Sequence, residues 1–456
     1  MPRQSTKAES LALRQLVAQS RNFLRSRREL IRRVVAAPNR LIPILITFAG
    51  ETIHEDGQHI AGVLESVLDS PSGAELVELI YQEIPKYSVH FVGLAVRCCE
   101  AMLTRIGSIR PRDLVLESDL TLNLAVHLRH AGDLERATHF SAVAVRLARQ
   151  LSRRDPSHRT GQVVALCLWS KHLTESRMPA KALRVARQAV STALQINGKG
   201  SQMTRARARV VLGAALVATN RSGEAKRVLG QAIRILSGRK RKGIPSHPEA
   251  AHASMFLACA ELNDGRPGKA SAHAEAAWNH LKVLVAGDPG VHVEDFLCAA
   301  DILATTVGRQ GDEFRIQQVR AEAGQVLREL SQHYPERYGM TYVRVLLSWA
   351  RDSLRRKDFP MALNVGNETL REYRRLIRRL KSEDPELSGG AFFTLAVANF
   401  ELKQPKEAVR AARLAELELL RLRADNAQRL DSLPWLNELT HAIAEISQKA
   451  QTALHN

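Results

Sequence analysis

Aromatic residues are scarce in this 456-residue chain, at 5% of the total. That scarcity argues against a platform on which single-stranded bases stack. There are five cysteines. Cys98 and Cys99 are adjacent, and Cys167, Cys259 and Cys298 are scattered over apolar helical faces. Their spacing fits neither a disulfide framework nor a zinc site, so a reducing cytoplasm is the expected compartment. No alternating Val/Ile/Thr run is bounded by turn residues, and strands are not expected. The longest uncharged apolar stretch, Leu41 to Gly50, is ten residues and contains Pro43, too short to span a bilayer. Residues 1–35 carry many arginines without an apolar core segment, so no secretory signal is expected.

The usual signatures of catalysis are also missing. The chain holds no GxxxxGK[ST], no GxGxxG opening a helix, and no GxSxG elbow. No cysteine has a neighbouring histidine to activate it. His54-Glu55 and His59 invite comparison with HExxH, but the histidines are five apart, with Gly57 between them. Zinc-binding histidines of that motif stand four apart on one helical face. A polar turn between helices is the expected setting for this stretch. The sequence therefore suggests no enzyme, no cofactor and no metal.

What the chain has is an alanine that keeps returning. Ala137, Ala182, Ala225, Ala270, Ile316 as a degenerate member, Ala362 and Ala408 stand 45, 43, 45, 46, 46 and 46 residues apart. A fixed period in this range means stacked helical hairpins. Twelve residues before each lies a small residue: Ala125, Ser170, Gly213, Ala258, Ala304, Ala350 and Ala396. Each of these follows a large apolar one: Leu124, Trp169, Leu212, Leu257, Leu303, Trp349 and Leu395. Seven residues after the recurring position another alanine follows at Ala144, Ala189, Ala232, Ala277 and Ala415. Polar turns separate the halves, as in Ala131-Gly132-Asp133, Asp264-Gly265 and Gln310-Gly311-Asp312. Small residues let two helices approach closely while the large neighbour fills the gap to the next hairpin.

This arrangement resembles the tetratricopeptide repeat (TPR) family, with its large-small pair in helix A, Gly-Asp turn and alanines in helix B. Leu212-Gly213, Leu216, Ala225 and Ala232 match it best, and the resemblance covers roughly residues 115–425. The period exceeds the family's usual ~34 residues. Pro156, Pro245, Pro289, Pro335 and Pro385 follow their alanines by 19, 20, 19, 19 and 23 residues. Helix B is therefore expected to be about two turns longer than usual, as in kinesin light chains and bacterial signalling regulators. HEAT and armadillo repeats fit the period alone but not the Gly-Asp turn or the paired alanines.

The expected fold is all-α. A helical N-terminal domain (1–110) precedes a TPR-like superhelical solenoid of about seven hairpins (111–430), and a capping helix (431–456) closes it. In the N-terminal segment one helix is expected over about 9–36, with Arg21, Arg25, Arg28 and Arg32 on a single face. Further helices are expected over 58–69, 73–84 and 87–106, punctuated by Pro38, Pro43, Pro71 and Pro85. The capping helix opens at Ser432 and Pro434 and carries Leu436, Leu439, Ile443 and Ile446 on one side.

Formal net charge is +19. Residues 1–40 balance to +8 and residues 51–85 to −8, with 41–50 uncharged, so the excess lies from residue 86 onward. The arginine face of the first helix is expected to pair with the acidic 51–85 segment, in preference to a membrane, nucleic acid or a targeting role. Arg239-Lys240-Arg241-Lys242 forms a loop that could contact phosphates, act as a nuclear address, or simply be solvated. Arg371, Arg374, Arg375, Arg378, Arg379 and Lys381 share a helix. They could grip an acidic helix or nucleic acid, although a solvated outer face is the plainer reading.

The family lines its concave groove mainly from helix A. Carrying those offsets over implies Arg129, Lys171, Arg207, His252, Met255, Asn263, Asp301, Arg309, Arg344, Arg351 and Arg355, with Asp301 the sole acid. Such a lining suits an acidic peptide or acidic helix. The carboxylate clamp of chaperone-binding members is not reproduced, because Leu122 and Val126 stand where its lysine and asparagine belong. The expected function is a non-catalytic scaffold holding an acidic segment of a partner protein. Alternatives are nucleic-acid binding by the basic array and a sensor whose N-terminal domain is the effector.

Overall fold

The structure is a computed structural model, and it describes residues 7–51, 54–84, 91–108, 113–198, 200–237, 247–287, 289–333, 338–380, 384–425 and 434–455. Among the described residues every regular element is helical. The chain divides into two compact units, Met1–Val319 and Arg320–Asn456.

The first unit opens with α1 (Lys7–Asn22), α2 (Leu24–Ala36), α3 (Pro38–Glu51), α4 (His54–Leu68), α5 (Gly73–Glu83) and α6 (Val92–Ser108). They share a core that includes Val17, Leu30, Val34, Ile42, Leu45, Ile60, Leu64, Ile80 and Phe91. The single helix expected over 9–36 is broken at Phe23, which is extended at φ −126 and ψ 117. Val17 and Leu30 are both fully buried. At ~100° per residue an unbroken helix would point them about 140° apart, and the break lets both face one core.

The prolines behave unevenly. Pro38 opens α3 and Pro71 sits in the turn before α5, but Pro43 lies inside α3 instead of ending it. A proline there cannot donate to the carbonyl of Asn39, a loss of about 3 kcal/mol. Burial of Leu41, Ile42, Leu45 and Ile46, at about 1.5–3 kcal/mol each, outweighs it. Pro85 lies outside the described residues.

His54, Glu55 and His59 belong to α4, not to a turn. His59 meets Ser20 at 2.6 Å, which ties α4 to α1. The arginine face is corrected as well. Arg21 is on α1, while Arg25, Arg28 and Arg32 are exposed on α2, with Arg32 paired to Glu29 at 2.9 Å. Arg27, left out of the expected face, reaches the 51–85 segment through the Gly62 carbonyl and the Ser66 hydroxyl, both at 3.1 Å.

Hairpins follow. In the first unit α7 (Leu114–His130) pairs with α8 (Leu134–Arg154), and α9 (Arg159–Glu175) with α10 (Pro179–Leu194). Then α11 (Ser201–Ala218) pairs with α12 (Ser222–Ser237), and α13 (Pro248–Asn263) with α14 (Pro267–Gly287), before α15 (Pro289–Gly308). A 3-10 turn at Pro156–His158 leads into α9. The division between units falls inside α16 (Glu313–His333). In the second unit α17 (Met340–Arg355) pairs with α18 (Phe359–Leu380), and α19 (Pro385–Glu401) with α20 (Pro405–Asp425). Helix α21 (Pro434–His455) packs on α20. There Ile443 joins the core of Ala412, Ala415 and Leu419, and Ala450 meets Ala408 and Val409. Among the described residues the fold is all-α, of helical hairpins packed in consecutive pairs.

The recurring residue takes one structural position throughout. Ala137, Ala182, Ala225, Ala270, Ala362 and Ala408 are fully buried, and Ile316 is nearly so. Each lies in the first turn of its helix and donates its N–H to the carbonyl four residues back: Asp133, Met178, Arg221, Arg266, Asp312, Asp358 and Gln404. Five residues before each recurring position φ is positive, at Gly132, Arg177, Asn220, Gly265, Gly311, Lys357 and Lys403. The next N–H then bonds five residues back, as from Asp133 to Leu128, Met178 to Leu173 and Gln404 to Asn399, closing a Schellman turn. The downstream alanines are buried, with Ala323 and Thr369 in the same place in α16 and α18. A Cβ at Gly213 would collide with buried Leu229. Ala304 alone among the seven small positions is only half-buried. The second helices α8, α14, α16, α18 and α20 run 21 or 22 residues, whereas α10 and α12 have 16.

Candidate functional site

In the first unit, most of the expected basic lining meets carboxylates that the sequence reading did not place beside it. The Nε of Arg129, near the end of α7, donates to both oxygens of Glu175 on α9, at 3.0 and 2.8 Å. Its Nη2 reaches Glu294 on α15 at 3.2 Å. Burial works against the Arg129 charge, but Glu175, Glu294 and Asp295 hold it above the ordinary arginine range. His252 on α13 meets Asp295 at 2.7 Å. Burial would raise the Asp295 carboxyl, yet the bond from His252 and the charges of His252, Lys171 and Arg129 hold it at about 2. Arg207 on α11 donates from Nε to Glu249 at 2.6 Å. Burial likewise opposes ionisation of Glu249, and Arg207 keeps it below the usual glutamate range.

Other expected lining residues behave differently. Met255 is buried in α13 and is not available as lining. Asn263 is exposed at the end of α13, and Arg309 donates to the Leu262 carbonyl at 3.3 Å. Asp301 is thus not the only acid near the expected lining, because Glu175, Glu249, Glu294 and Asp295 contact Arg129, Arg207 and His252. Nothing local in the sequence marks these acids. They are matched to their partners by the stacking of separate hairpins, 42 to 165 positions apart. The Arg239-Lys240-Arg241-Lys242 cluster lies outside the described residues.

The second unit brings three expected residues together. Arg344, Arg351 and Arg355 rise from α17 and line a cavity of about 310 Å³ with Leu347, Ser348, Asp384, Glu386 and Leu387. Steps of seven and four put them on one side of the helix. Arg344 reaches Asp384 at 3.3 Å, and Arg355 pairs with Asp352 within its own helix. Arg351 has no ion-pair or hydrogen-bond partner among the described residues. It packs over Gly390, where a Cβ would strike its guanidinium. Desolvation lowers its pKa first, Glu386 opposes that, and Arg355 adds to the lowering. Arg351 is itself exposed, so the site offers solvent a positive charge that no carboxylate hydrogen-bonds among the described residues, with Glu386 nearby in the lining.

A second basic region lies on α18. Arg371, Arg374, Arg375 and Arg378 line a cavity of about 670 Å³, with Arg410 of α20 among its walls. The side chains of Arg379 and Lys381 lie outside the described residues. Groups of three or more His, Cys, Asp or Glu able to hold a metal ion are not found among the described residues. Cys98 and Cys167 are buried thiols pushed up to about 12 by desolvation.

No family model and no curated protein matches this chain. Among solved structures it is similar to BtubC (BKLC) from P. vanneervenii, at 14% identity over 60% of this chain and 92% of that one, with a TM-score of 0.36. It is similar also to a Rap protein complexed with competence and sporulation factor, at 10% identity over 87% and 98% of the two chains, with a TM-score of 0.42. The nearly identical TPR-like repeats of a kinesin light chain protein from Podosopora anserina align at 18% identity over 48% and 97%, with a TM-score of 0.34.

Proposed function

We propose that this chain is a non-catalytic helical-repeat scaffold that holds an acidic segment of a partner protein. Its carboxylates dock on the face of α17 that carries Arg344, Arg351 and Arg355. The observation that supports this most is Arg351, an exposed guanidinium that lines the cavity between Arg344 and Arg355 and makes no ion pair or hydrogen bond among the described residues. A partner carboxylate there gains a charge-assisted pair that no residue of the chain already takes, and the planar guanidinium fork can hold it in bidentate fashion. Arg344 and Arg355 already share acids, so they orient the segment more than they anchor it. In the first unit the paired residues Arg129, Arg207 and His252 act as internal struts, while Lys171, Asn263 and Arg309 are exposed. Among the described residues no helix is long and apolar enough to cross a membrane.

The test uses fluorescence anisotropy with a labelled oligo-glutamate peptide and, separately, a random single-stranded RNA. Charge reversal of Arg344, Arg351 and Arg355 to glutamate is expected to abolish peptide binding and leave helicity unchanged. Retained peptide binding in that variant would sink the reading. RNA binding with a steep salt dependence, in the absence of peptide binding, would favour the nucleic-acid alternative.

A further inference from the structure

The cavity on α18 has a composition that the α17 face lacks. Five guanidinium groups, from Arg371, Arg374, Arg375, Arg378 and Arg410, stand over Leu370, Phe392, Leu395 and Leu414, with Glu407 the one carboxylate in the lining. Arg375 is shared with Glu372 at 3.3 Å. Arg371, Arg374, Arg378 and Arg410 make no ion pair among the described residues, and all four are exposed. The cavity is a groove: α18 forms one wall, α20 the other, and α19 contributes Phe392, Leu395 and Asn399 to the floor. Beyond it on α20, Leu417 is 55% exposed. It stands three residues after Leu414 and seven after Arg410, on the same side of the helix.

We propose that this groove is a second docking site and that its occupant is an amphipathic helix, apolar on one face and acidic along its flanks. Two features select that occupant. Arg371, Arg374 and Arg378 run along α18 for about 10 Å at 1.5 Å per residue. A helix laid alongside presents carboxylates at the same three-, four- and seven-residue steps. Leu395 makes the floor apolar beside Asn399, and the floor's one aromatic ring, Phe392, is 8% exposed and offers no face for a base to stack on. Exposed Leu417 extends the apolar strip toward a longer partner face. This site lies on different helix faces from Arg344, Arg351 and Arg355, so it stands or falls separately from the α17 reading.

The experiment measures anisotropy of three labelled probes with the full chain. They are a synthetic helix with leucines on one face and glutamates elsewhere, a scrambled peptide of the same composition, and a single-stranded RNA. The amphipathic probe is expected to bind at least tenfold more tightly than the scrambled one. The double variant Arg374→Glu and Arg378→Glu, and separately Arg410→Glu, should each weaken it by tenfold or more. All three positions are exposed, and circular dichroism checks that the variants remain folded. Leu417→Asp should weaken the amphipathic probe and leave the scrambled one unchanged. Equal binding of the amphipathic and scrambled peptides overturns the proposal, as does binding of RNA without peptide. So does loss of the amphipathic probe in the Arg344, Arg351 and Arg355 variant with no loss in the α18 variant.

Discussion

Arg129 and Glu294 meet at 3.2 Å although 165 residues separate them in sequence. Helices that begin different hairpins thus approach each other on one face of the first unit. Acids from the later hairpins neutralise bases from the earlier ones. The two halves of the Arg129 network should differ in worth. Glu294 is 55% exposed and Glu175 is 29% exposed. Glu175→Ala is expected to cost about 1–3 kcal/mol, because it takes the principal partner from a mostly buried guanidinium. Glu294→Ala should cost under about 1 kcal/mol. Urea denaturation of the two variants checks the order.

The turns that join each pair of helices make a second prediction. Lys357, at φ 62, and Lys403, at φ 57, occupy the left-handed region that Gly132, at φ 87, occupies at the equivalent place. A side chain there costs about 1–2 kcal/mol, partly offset by the greater freedom of glycine in the unfolded chain. Lys357→Gly should therefore raise stability by about 0.5–1 kcal/mol, and Gly132→Ala should lower it. Thermal melting of the two variants should move in opposite directions.

Packing at the recurring position is the third. Ala225 is fully buried, and Leu229 fills the space beside Gly213. Ala225→Leu is expected to cost about 1–3 kcal/mol through overfilling. Substitution of exposed Arg227 by alanine should stay within about 0.5 kcal/mol. Equal effects at the two sites would remove the case for Ala225 as a packing residue.

His172 supplies a pH dependence. Ser141 donates its hydroxyl proton to the Ala137 carbonyl at 2.8 Å, so the His172 Nδ1–H is the donor to Ser141 Oγ, also at 2.8 Å. Nε2 is then left as a buried acceptor without a hydrogen-bond partner among the described residues. Desolvation lowers the His172 pKa to about 4, from an ordinary 6.5. The unfolded chain thus takes up a proton below pH 6.5 that the folded chain refuses until about pH 4. Stability is fully present above 6.5 and falls as pH drops through that window, by on the order of 3 kcal/mol at most. His172→Gln should flatten the denaturation midpoint against pH between those limits, after allowance for other groups.

Helix α21 covers Ala412, Ala415 and Leu419 through Ile443. We propose that it caps the array. Removal of residues 434–456 should then expose an apolar face and cause self-association, read by light scattering. A truncated chain that stays monomeric with unchanged melting would remove the capping role.

The spacing of Ala137, Ala182, Ala225, Ala270, Ala362 and Ala408 determined the all-α hairpin fold by itself. Close helix packing admits only small side chains at a fixed step, and that constraint is local enough to be written in the chain. The turn glycines Gly132, Gly265 and Gly311 were legible for the same reason, since a left-handed backbone favours them. Arg177, Lys357 and Lys403 take that conformation without any such signal, held by the hydrogen bonds of the turn. The break at Phe23 and the continuation through Pro43 were decided by burial in a shared core, which overrides local propensity. Grouping of Arg344, Arg351 and Arg355 followed from steps along one helix. The fate of Arg129, Arg207 and His252 did not, because only the stacking of distant hairpins puts Glu175, Glu249, Glu294 and Asp295 beside them. Charge pairing across a repeat array depends on which residues the stack makes neighbours, and that is a property of the tertiary structure.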